Sequence, residues 1–476
     1  MKVFLLNPPY VPNFIRSSRC TWKPISGSNW YPIFLAYCAG LLQEHGHHIR
    51  LVDAPVAALG PQETFDMAGE FGPDLTVVYT SHESYLNDLL IAEKIKELTG
   101  GMVVLVGPVG SRQSEAVLAE HPAIDGIVRH EFEKVVLAIA EGADLKTIPG
   151  LISRSGNEIT SSADGGFLSP EDLDRLPFVT KVYEEHLPIR RYRQASLLYP
   201  FVDLFTSRGC AWGRCTFCVW PQTIHKGGVY RKRSLGSVIE EFTYVAKCLP
   251  FVREVFLQDD MLPAGRARDI AEGILRSGLH ITWSAYAKAE LDFETLALMQ
   301  RSGCRFLHVG YESSNATILR RTKKGITPER MVRFTRDAHR AGIKIHGDFI
   351  IGLPGETQET IKETIIWAKK LGIEAYQFVT IQPHPQTELY HRLNSQGLIS
   401  PGGEVSYPHL SSNELSYWRF KAMRSIYLRP RYLGQLLSSL KGPSEYASFL
   451  RAAFHVLPNI LFPRARMRDG SEHPCQ

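Results

Sequence analysis

The first 145 residues alternate short apolar runs with amphipathic segments. The apolar runs are Val3–Leu6, Ile49–Val52, Leu75–Tyr79 and Met102–Val106. Helical periodicity occupies two of the intervals between them, at Pro32–His45 and Leu86–Lys96. Short buried strands separated by helices are typical of a parallel sheet that is covered by helices on both faces. The pattern therefore predicts an α/β domain with a doubly wound parallel sheet over residues 1–145.

The loops that follow these strands are the expected ligand-binding positions of the first domain. In an open parallel sheet, ligands bind at the carboxyl ends of the strands. The residues that fall there are Asn7, Pro8, Thr80, Ser81, Gly107 and Pro108. We predict that they contact the ligand of this domain.

From about residue 196 the alternation of strands and helices resumes. The apolar runs are now Val202–Thr206, Glu254–Leu257, Ile281–Ala285, Phe306–Val309, Lys344–Ile351 and Ala375–Ile381. Six strands with intervening helices predict a partial (βα)6 barrel over residues 196–415, with its active site at the C-terminal ends of the strands. Residues 146–195 are less regular and contain a hairpin pattern, IPGLISRSGNEI, so we interpret them as a linker.

The C-terminal region, residues 416–476, has a different character because it is helical, aromatic and basic. Its periodicity predicts helices over Trp418–Leu437 and Tyr446–Phe462. Two interpretations stay open. The helices either cap the barrel and expose a solvated basic face, or they form a surface that contacts a membrane or an anionic lipid-linked substrate.

Composition and charge narrow the class of protein. The chain has 476 residues, 44% of them hydrophobic and 22% charged, which is typical of a multidomain globular protein. A net charge of +5 does not indicate a nucleic-acid binder. No apolar run reaches the roughly 18–20 residues of a membrane span, and the N-terminal MKVFLLNPPY is typical of a first strand rather than of a secretory signal. We expect a cytoplasmic location, where the eight cysteines are reduced, metal-bound or buried.

Three cysteines lie close together in the segment CAWGRCTFC, directly after the first barrel strand. They are Cys210, Cys215 and Cys218. A structural zinc site usually has a fourth ligand, often from a second paired motif, whereas Cys248, Cys304 and Cys475 each stand alone. A [4Fe–4S] cluster that is held by three thiolates keeps one iron open to a small molecule. We therefore favour an iron–sulfur cluster over zinc at these three cysteines.

At these motifs the chain resembles the radical SAM superfamily, and within it the branch that has an N-terminal cobalamin-binding domain. The segments that carry the resemblance are NPP, VDAP, GPVGSRQSEAVL, DGIVRHEFE, TSRGC, CTFCVWPQT, VFLQDDML, HVGYESSNATILRRTKKGIT and FIIGLPGETQET. CTFC-x-WPQT together with YLRP at Tyr427–Pro430 is most similar to the hopanoid-biosynthesis and Mg-protoporphyrin-ester-cyclase-like subgroup. The family usually has three residues between its first two cysteines, and this chain has four. We expect Gly213 to absorb the extra residue, because glycine tolerates unusual backbone angles.

The resemblance implies a flavodoxin-like first domain and an enzyme whose open iron binds S-adenosylmethionine (SAM). Reductive cleavage of SAM then gives a 5′-deoxyadenosyl radical. Phe217 resembles the residue whose backbone lies near the adenine. The residues that end the second barrel strand, where relatives hold the ammonium group of SAM, are Gln258, Asp259 and Asp260.

Two further strand ends complete the SAM site that the resemblance implies. Glu312 follows the fourth barrel strand and resembles the polar residue that binds the ribose or the methionine end. Gly352 and Gly355 follow the fifth strand and permit close approach of the backbone to a flat adenine. Glu356, in the same turn, either belongs to this site or caps the next helix.

Cobalamin is the second implied cofactor, and its expected ligands are the strand-end loops of the first domain. The D-x-H-x-x-G pattern that supplies an axial histidine is absent from the sequence. Relatives in this branch often bind cobalamin without such a ligand. We therefore predict a site with no histidine on the lower face of the corrin, although His82 and His130 lie close enough in sequence to meet it.

The resemblance implies methylation of an unactivated carbon in a small-molecule or lipid-like substrate, with electrons from a donor such as flavodoxin or ferredoxin. The alternative is a radical SAM cyclisation or rearrangement in lipid (hopanoid-like), tetrapyrrole or natural-product biosynthesis. A non-catalytic sensor is disfavoured because it needs no adenosyl-binding loops, and methylthiolation is disfavoured because residues 1–145 have no second cysteine triad. The expected location is cytoplasmic, with peripheral membrane contact open through the C-terminal helices.

Overall fold

A computed structural model describes residues 1–12, 14–16, 26–108, 114–222, 224–225, 229–440 and 442–461. Three parts of the sequence motifs lie outside the described residues. They are residues 109–113 of GPVGSRQSEAVL, Thr223 of WPQT, and Cys475.

The first sheet has seven strands. They are β1 (Lys2–Asn7), β2 (His48–Asp53), β3 (Leu75–Tyr79), β4 (Met102–Val106), β5 (Gly126–Val128), β6 (Leu151–Ser155) and β7 (Glu158–Ser161). Their order is β2-β1-β3-β4-β5-β6-β7, and β1 to β5 are parallel, which confirms the predicted parallel sheet. The hairpin of β6 and β7 adds two antiparallel strands at one edge, so this part of the predicted linker extends the first sheet.

The helices that accompany this sheet and lead to the second domain are short. They are α1 (Ile33–Glu44), α2 (Ala54–Ala57), α3 (Pro61–Phe71), α4 (Tyr85–Thr99), α5 (Ser114–Glu120), α6 (Glu133–Ala140), α7 (Pro170–Arg175) and α8 (Val179–His186). Alternate residues of β1 serve the two faces of the sheet. Val3 and Leu5 pack in the same core as α1, whereas Phe4 and Leu6 pack in the core that α3 and α4 cover. A parallel strand that is buried on both faces reads as a nearly continuous apolar run, and Val3–Leu6 is such a run.

The second sheet has six parallel strands, as predicted. They are β8 (Phe201–Leu204), β11 (Glu254–Leu257), β12 (Trp283–Ala287), β13 (Cys304–Glu312), β14 (Lys344–Ile351) and β15 (Ala375–Thr380), and β9 (Ser207–Arg208) and β10 (Arg231–Lys232) form a separate antiparallel ribbon. In the sheet order, β15-β14-β13-β12-β11-β8, neighbouring strands follow each other in the chain order of these six strands, as in a partial barrel. The helices of this domain are α9 (Val219–Gln222), α10 (Leu235–Cys248), α11 (Ala264–Arg276), α12 (Phe293–Arg301), α13 (Ala316–Arg321), α14 (Pro328–Ala341), α15 (Gln358–Leu371) and α16 (Glu388–Ser395).

Three C-terminal helices follow the barrel. They are α17 (Ser412–Tyr427), α18 (Pro430–Ser439) and α19 (Pro443–Leu461). The prediction of one helix over Trp418–Leu437 was therefore wrong. Pro430 lacks a backbone N–H and disfavours helical angles at Arg429, so α17 ends before it and α18 begins with Pro430 in its first turn. Among the residues that the structure describes, none of the helices combines the length and the apolar character that a membrane span requires.

Candidate active site

A cavity of about 3080 Å³ lies between the first domain, the barrel and the C-terminal helices. Its walls come from strand-end loops of the first sheet, from the inner face of the barrel and from α17, α18 and α19. Cys210, Cys215 and Cys218 all line it. The predicted edge of each sheet therefore faces one common space, so that ligands of the two domains would meet there.

The cysteine loop runs from β9 to α9 and is fixed by its neighbours. Gly213 has a φ of 59°, in the left-handed region that favours glycine, as expected for the residue predicted to absorb the extra position of the motif. The indole Nε1 of Trp212 donates a hydrogen bond of 2.8 Å to the Lys323 carbonyl. A Cβ at Gly325 would overlap the Trp212 ring, so the small residue lets the loop dock closely.

The donor set at this loop is three half-buried thiols. Within the described ranges, no three His, Cys, Asp or Glu side chains lie close enough together to hold a single metal ion. Thiolates that bind three different irons of a cluster need not converge on one point. Burial raises the pKa of the Cys215 thiol, while the ammonium groups of Lys324 and Lys288 act in the opposite direction. Three thiols with cationic neighbours fit a [4Fe–4S] cluster with one iron open.

Glu312 and Lys324 form an ion pair of 2.6 Å next to the cysteines. Glu312 has a φ of 62°, a conformation that is uncommon for a residue with a Cβ and is concentrated at functional sites. Burial opposes the positive charge of Lys324, but Glu312 and Cys215 together raise the pKa of its ammonium group. Gly310 lacks a side chain, and a Cβ there would overlap both partners. Lys324 was not predicted as a site residue, although it stands in the segment RRTKKGIT that carries part of the family resemblance.

The structure separates the three residues at the end of the second barrel strand. Asp259 is fully buried and accepts hydrogen bonds from Thr206 and Ser207, through both their backbone N–H groups and their hydroxyls, at 2.5–3.2 Å. Gln258 donates a hydrogen bond of 2.9 Å to Asp203. Asp260 lines the cavity. Of the three, Asp260 is thus the one placed to meet a ligand, while Asp259 holds the start of the cysteine loop.

The turn after the fifth strand forms a wall behind the cavity. Gly352 and Gly355 have φ values of 97° and 90°, which explains the glycine at both positions. Neither is among the cavity-lining residues. A Cβ at Gly352 would press on Ile381 and Leu415, so the close neighbour of this glycine is the protein core.

Glu356 closes the same turn by accepting a hydrogen bond of 2.5 Å from the Gly352 N–H. It is almost completely buried, and burial raises the pKa of its carboxyl to about 8. Phe217, between the last two cysteines, lines the cavity and packs in one cluster with Leu353 and Ile381. The turn therefore supports Phe217 from behind.

Most of the predicted residues of the first domain are engaged inside the domain. The Asn7 side chain donates to Asp53 at 2.8 Å and accepts from Arg16 at 3.2 Å. The Thr80 hydroxyl donates to the Val106 carbonyl at 2.8 Å.

Pro8 and Ser81 also form hydrogen bonds within the first domain. The Pro8 carbonyl accepts a 2.6 Å hydrogen bond from Arg16, and the hydroxyls of Ser81 and Ser84 are 2.7 Å apart. Gly107 has a φ of 100°, and a Cβ there would approach the Thr80 carbonyl.

None of the six predicted loop residues, Pro108 included, is among the cavity-lining residues. Their neighbours on the same loops line it instead, among them Pro9, Tyr10, His82 and Ser84. The His82 ring centroid is 5.6 Å from that of His384, whose pKa burial lowers to about 4. His130 lies outside the cavity lining and is 3.3 Å from Asp164.

The segment DGIVRHEFE joins the first domain to the barrel through buried charges. Glu131 accepts hydrogen bonds from Arg231 at 2.6 and 2.9 Å and is 2.8 Å from His225 Nδ1. Glu133 forms an ion pair of 2.5 Å with Arg208, and Arg208 stands two residues before Cys210 in the sequence. Burial alone would favour the neutral carboxyl, yet His225 and the arginines hold the pKa of Glu131 well below its ordinary value. The segment carries part of the family resemblance, but its clamp on the cysteine loop was not predicted from the sequence.

A polar column inside the barrel was also missed. The rings of His308 and His346 are stacked with centroids 4.5 Å apart. His308 Nε2 is 2.8 Å from the Ser196 hydroxyl, and His346 Nε2 is 3.3 Å from Asp348. These side chains line the cavity below Glu312 because alternate residues of a strand face the same side. The alternation in HVGYE and KIHGD was the available signal.

Comparison with known families and proteins agrees with this geometry. The Radical SAM superfamily model matches residues 204–368. An uncharacterized methyltransferase of Pyrococcus horikoshii is 29% identical over 453 residues, which cover 91% of this chain and 94% of the relative. Cytidylyl-2-hydroxyethylphosphonate methyltransferase of Streptomyces wedmorensis is 25% identical, with 84% and 83% covered. The anaerobic magnesium-protoporphyrin IX monomethyl ester cyclase of Rubrivivax gelatinosus is also 25% identical, with 77% and 67% covered.

Two solved structures share the fold. The radical SAM methyltransferase TsrM from Kitasatospora setae, with tryptophan and a SAM analogue bound, has a TM-score of 0.65 at 21% identity, over 83% of this chain and 76% of TsrM. The cobalamin-dependent radical enzyme OxsB, with aqua-cobalamin and SAM bound, has a TM-score of 0.70 at 15% identity, over 96% of this chain and 72% of OxsB. Residues 204–368 match the radical SAM superfamily, and the predicted resemblance and fold class are confirmed.

Proposed function

We propose that this protein is a cobalamin-dependent radical SAM methyltransferase that modifies an unactivated carbon of a small molecule. The observation that carries the proposal is the shared cavity. The three thiols of the cysteine loop, the Glu312–Lys324 pair and Asp260 line the same cavity as the strand-end loops of the first domain. The names of two relatives, both methyltransferases, support methyl transfer.

When bound, a reduced [4Fe–4S] cluster cleaves SAM to a 5′-deoxyadenosyl radical, and methylcobalamin supplies the methyl group. In the proposal, Cys210, Cys215 and Cys218 hold the cluster. Asp260 pairs with the ammonium group of SAM, because a carboxylate at the cavity wall offers a charge-assisted hydrogen bond. Glu312, which Lys324 orients, binds the ribose or methionine end.

In the proposal, different residues of the cavity contact the adenine of SAM and the substrate. Phe217 lies beside the adenine, and the turn of Gly352 and Gly355 keeps Phe217 in place. The substrate occupies the barrel below Glu312, where His346 and Asp348 offer hydrogen bonds to a polar group.

Cobalamin is placed between the first domain and the barrel in this proposal. The first-domain side of the cavity, with Pro9, Tyr10 and His82, is the surface on which the corrin would lie. Asn7, Pro8, Thr80, Ser81, Gly107 and Pro108 shape these loops from below. We propose that no histidine of the protein lies on the lower face of the corrin.

The partners follow from the chemistry. The enzyme needs an external one-electron reductant, and we propose a flavodoxin or ferredoxin for this role. The C-terminal helices are the proposed place of peripheral membrane contact.

The decisive experiment is anaerobic incubation of the reconstituted protein with SAM labelled in its methyl group, dithionite and a cell extract. Methyl label in a product, together with S-adenosylhomocysteine and 5′-deoxyadenosine, supports methyl transfer. Label that stays only in methionine would favour the cyclisation or rearrangement that the similarity to the cyclase of Rubrivivax gelatinosus suggests. Formation of none of these products would contradict radical SAM activity.

A further inference from the structure

Helix α19 has apolar residues on two faces. The inner face lines the cavity through Phe449, Ala453, Val456 and Ile460. A second row, which we call the outer stripe, is exposed to solvent and consists of Tyr446, Leu450, Phe454, Leu457 and Leu461. Intervals of three and four residues put this row on one side of the helix. Phe454 is 77% exposed and Leu450 is 65% exposed, which is unusual for large apolar side chains.

The sequence that contains the outer stripe is rich in positive charge. The Lys and Arg residues from position 429 onward are Arg429, Arg431, Lys441, Arg451, Arg464, Arg466 and Arg468. The sequence between Arg429 and Arg468 has one acid, Glu445. Its carboxylate is buried, 2.7 Å from Lys344 and 3.3 Å from Arg305 of the barrel. An apolar row flanked by basic residues is the pattern of a helix that lies in the interface of an anionic membrane.

We propose that the outer stripe docks on an anionic lipid bilayer and that the substrate is a bilayer-resident amphiphile, which enters the cavity past α19. The substrate part of the inference rests on the proposed function. Apolar side chains of the stripe enter the acyl boundary while the basic residues meet the lipid headgroups. A second copy of this chain would instead bring two basic C-terminal segments together, which charge repulsion disfavours.

The cavity wall supports this substrate class. α17 and α18 add Phe420, Met423, Leu433 and Leu436 to the apolar inner face of α19. The polar groups that line the cavity deeper in the barrel include His346 and Asp348. A molecule with a polar head and a long apolar chain matches this division, with its head in the barrel and its chain along the helices. Leu457 belongs to both surfaces, because it lines the cavity and is 41% exposed, so the cavity opens beside the stripe.

Docking can be measured by co-sedimentation of the full-length, cofactor-loaded protein with sucrose-filled vesicles. The vesicles contain phosphatidylcholine alone, or with about 30 mol% phosphatidylglycerol, at low and high salt. We expect binding to the anionic vesicles that weakens with salt. The double variant Leu450→Glu, Phe454→Glu should lower the bound fraction about tenfold. Ile366→Glu, at an exposed apolar residue of α15, is the matched control and should bind as the wild type does.

Two outcomes would overturn the docking. One is that the wild type ignores anionic vesicles, or that the double variant and the control bind equally. The other is a wild-type dimer, seen by light scattering, that becomes monomeric in the double variant, which would assign the stripe to a second copy. Vesicle binding does not require turnover, so its failure is distinct from failure of methyl transfer.

The substrate class is tested without vesicles, by fluorescence of a pyrene-labelled long-chain fatty acid. Ala453→Trp fills the inner wall and should weaken probe binding about tenfold while leaving vesicle binding intact. Unchanged probe binding in this variant, with a wild-type thermal midpoint, would refute an apolar chain along α19.

Discussion

Glu312, Lys324 and Asp259 show how single residues prepare the cavity before any ligand arrives. Glu312 is held in a left-handed conformation by its strand end and is oriented by Lys324 at 2.6 Å. Asp259 faces the protein instead and fixes Thr206 and Ser207 at the start of the cysteine loop. Side chains that are already locked by a second partner bind a ligand at lower entropic cost.

The first prediction concerns the cysteine triad. Replacement of Cys210, Cys215 and Cys218 by Ala should abolish cluster assembly, because these three thiolates are the proposed protein ligands of its irons. Iron and sulfide analysis after anaerobic reconstitution measures this. Cys248→Ala changes an exposed thiol of α10 and should keep the full cluster. A full cluster in the triple variant would contradict the assignment.

The second prediction is a pH dependence of stability that originates at Glu356. Burial raises the pKa of its carboxyl to about 8 in the folded protein, against 4.5 in an unfolded chain. Between these values the folded state binds more protons, so the free energy of unfolding should fall as pH rises from about 4.5 to about 8. Glu356→Gln removes this titration. The decrease in the free energy of unfolding between pH 4.5 and about pH 8, measured by urea unfolding, should then be smaller by up to about a few kcal/mol. Glu363→Gln, at an exposed position of α15, should retain the slope, and equal slopes in the two variants would contradict the prediction.

At the scale of elements, the end of β5 and the ribbon of β9 and β10 are joined by buried ions. Glu131 and Glu133 come from the first domain, whereas Arg208 and Arg231 come from the ribbon. Arg208 also lies over the Phe34 ring of α1 at 5.2 Å. Because the cysteine loop begins directly after β9, the docking of the two domains and the position of the cluster ligands depend on the same contacts.

The third prediction tests this clamp with Glu131→Gln. The amide leaves Arg231 and His225 without their carboxylate in a buried site, so the free energy of unfolding should fall by about 3–5 kcal/mol. Urea unfolding followed by tryptophan fluorescence measures it. Glu158→Gln removes an exposed partner of Lys146 and should not change the midpoint. A stable Glu131→Gln protein with a wild-type midpoint would show that the clamp is not needed for docking.

At the scale of the whole molecule, two sheets turn their strand ends toward each other and the C-terminal helices close the remaining side. This arrangement brings the proposed cobalamin surface and the proposed cluster to one cavity. His82 and His384 stand where the first domain and the barrel meet. Because the two histidines come from different domains, axial ligation of cobalt has to be tested in the complete protein and not in an isolated domain.

The fourth prediction is that full-length protein binds cobalamin without a histidine ligand on its lower face. Electron paramagnetic resonance of the cob(II) form should show no nitrogen splitting from a protein imidazole. His82→Ala should leave the spectrum unchanged. A nitrogen triplet in the wild type that disappears in His82→Ala would identify His82 as the ligand, and failure to retain cobalamin at all would contradict the proposed cofactor.

The sequence by itself predicted most strands of both sheets and the candidate cluster ligands, because these have local signals. Hydrophobic periodicity located four strands of the first sheet and all six strands of the barrel, because each strand carries buried apolar residues in a short run bounded by turn or helix signals. The cysteine triad and Gly213 could be identified because all their relevant neighbours lie within nine residues. The one helix that was wrongly joined contained Pro430, a breaker that the periodicity alone did not weigh.

Only the tertiary structure decided which polar residues face the cavity. Gln258, Asp259 and Asp260 are equivalent in sequence, yet Asp259 is satisfied by a loop 52 residues away while Asp260 lines the cavity. Lys324, His346 and Glu131 acquire their roles from partners on other strands or in the other domain. Such pairings depend on where the chain brings distant segments together, and a buried charge is stable only where that packing supplies its partner.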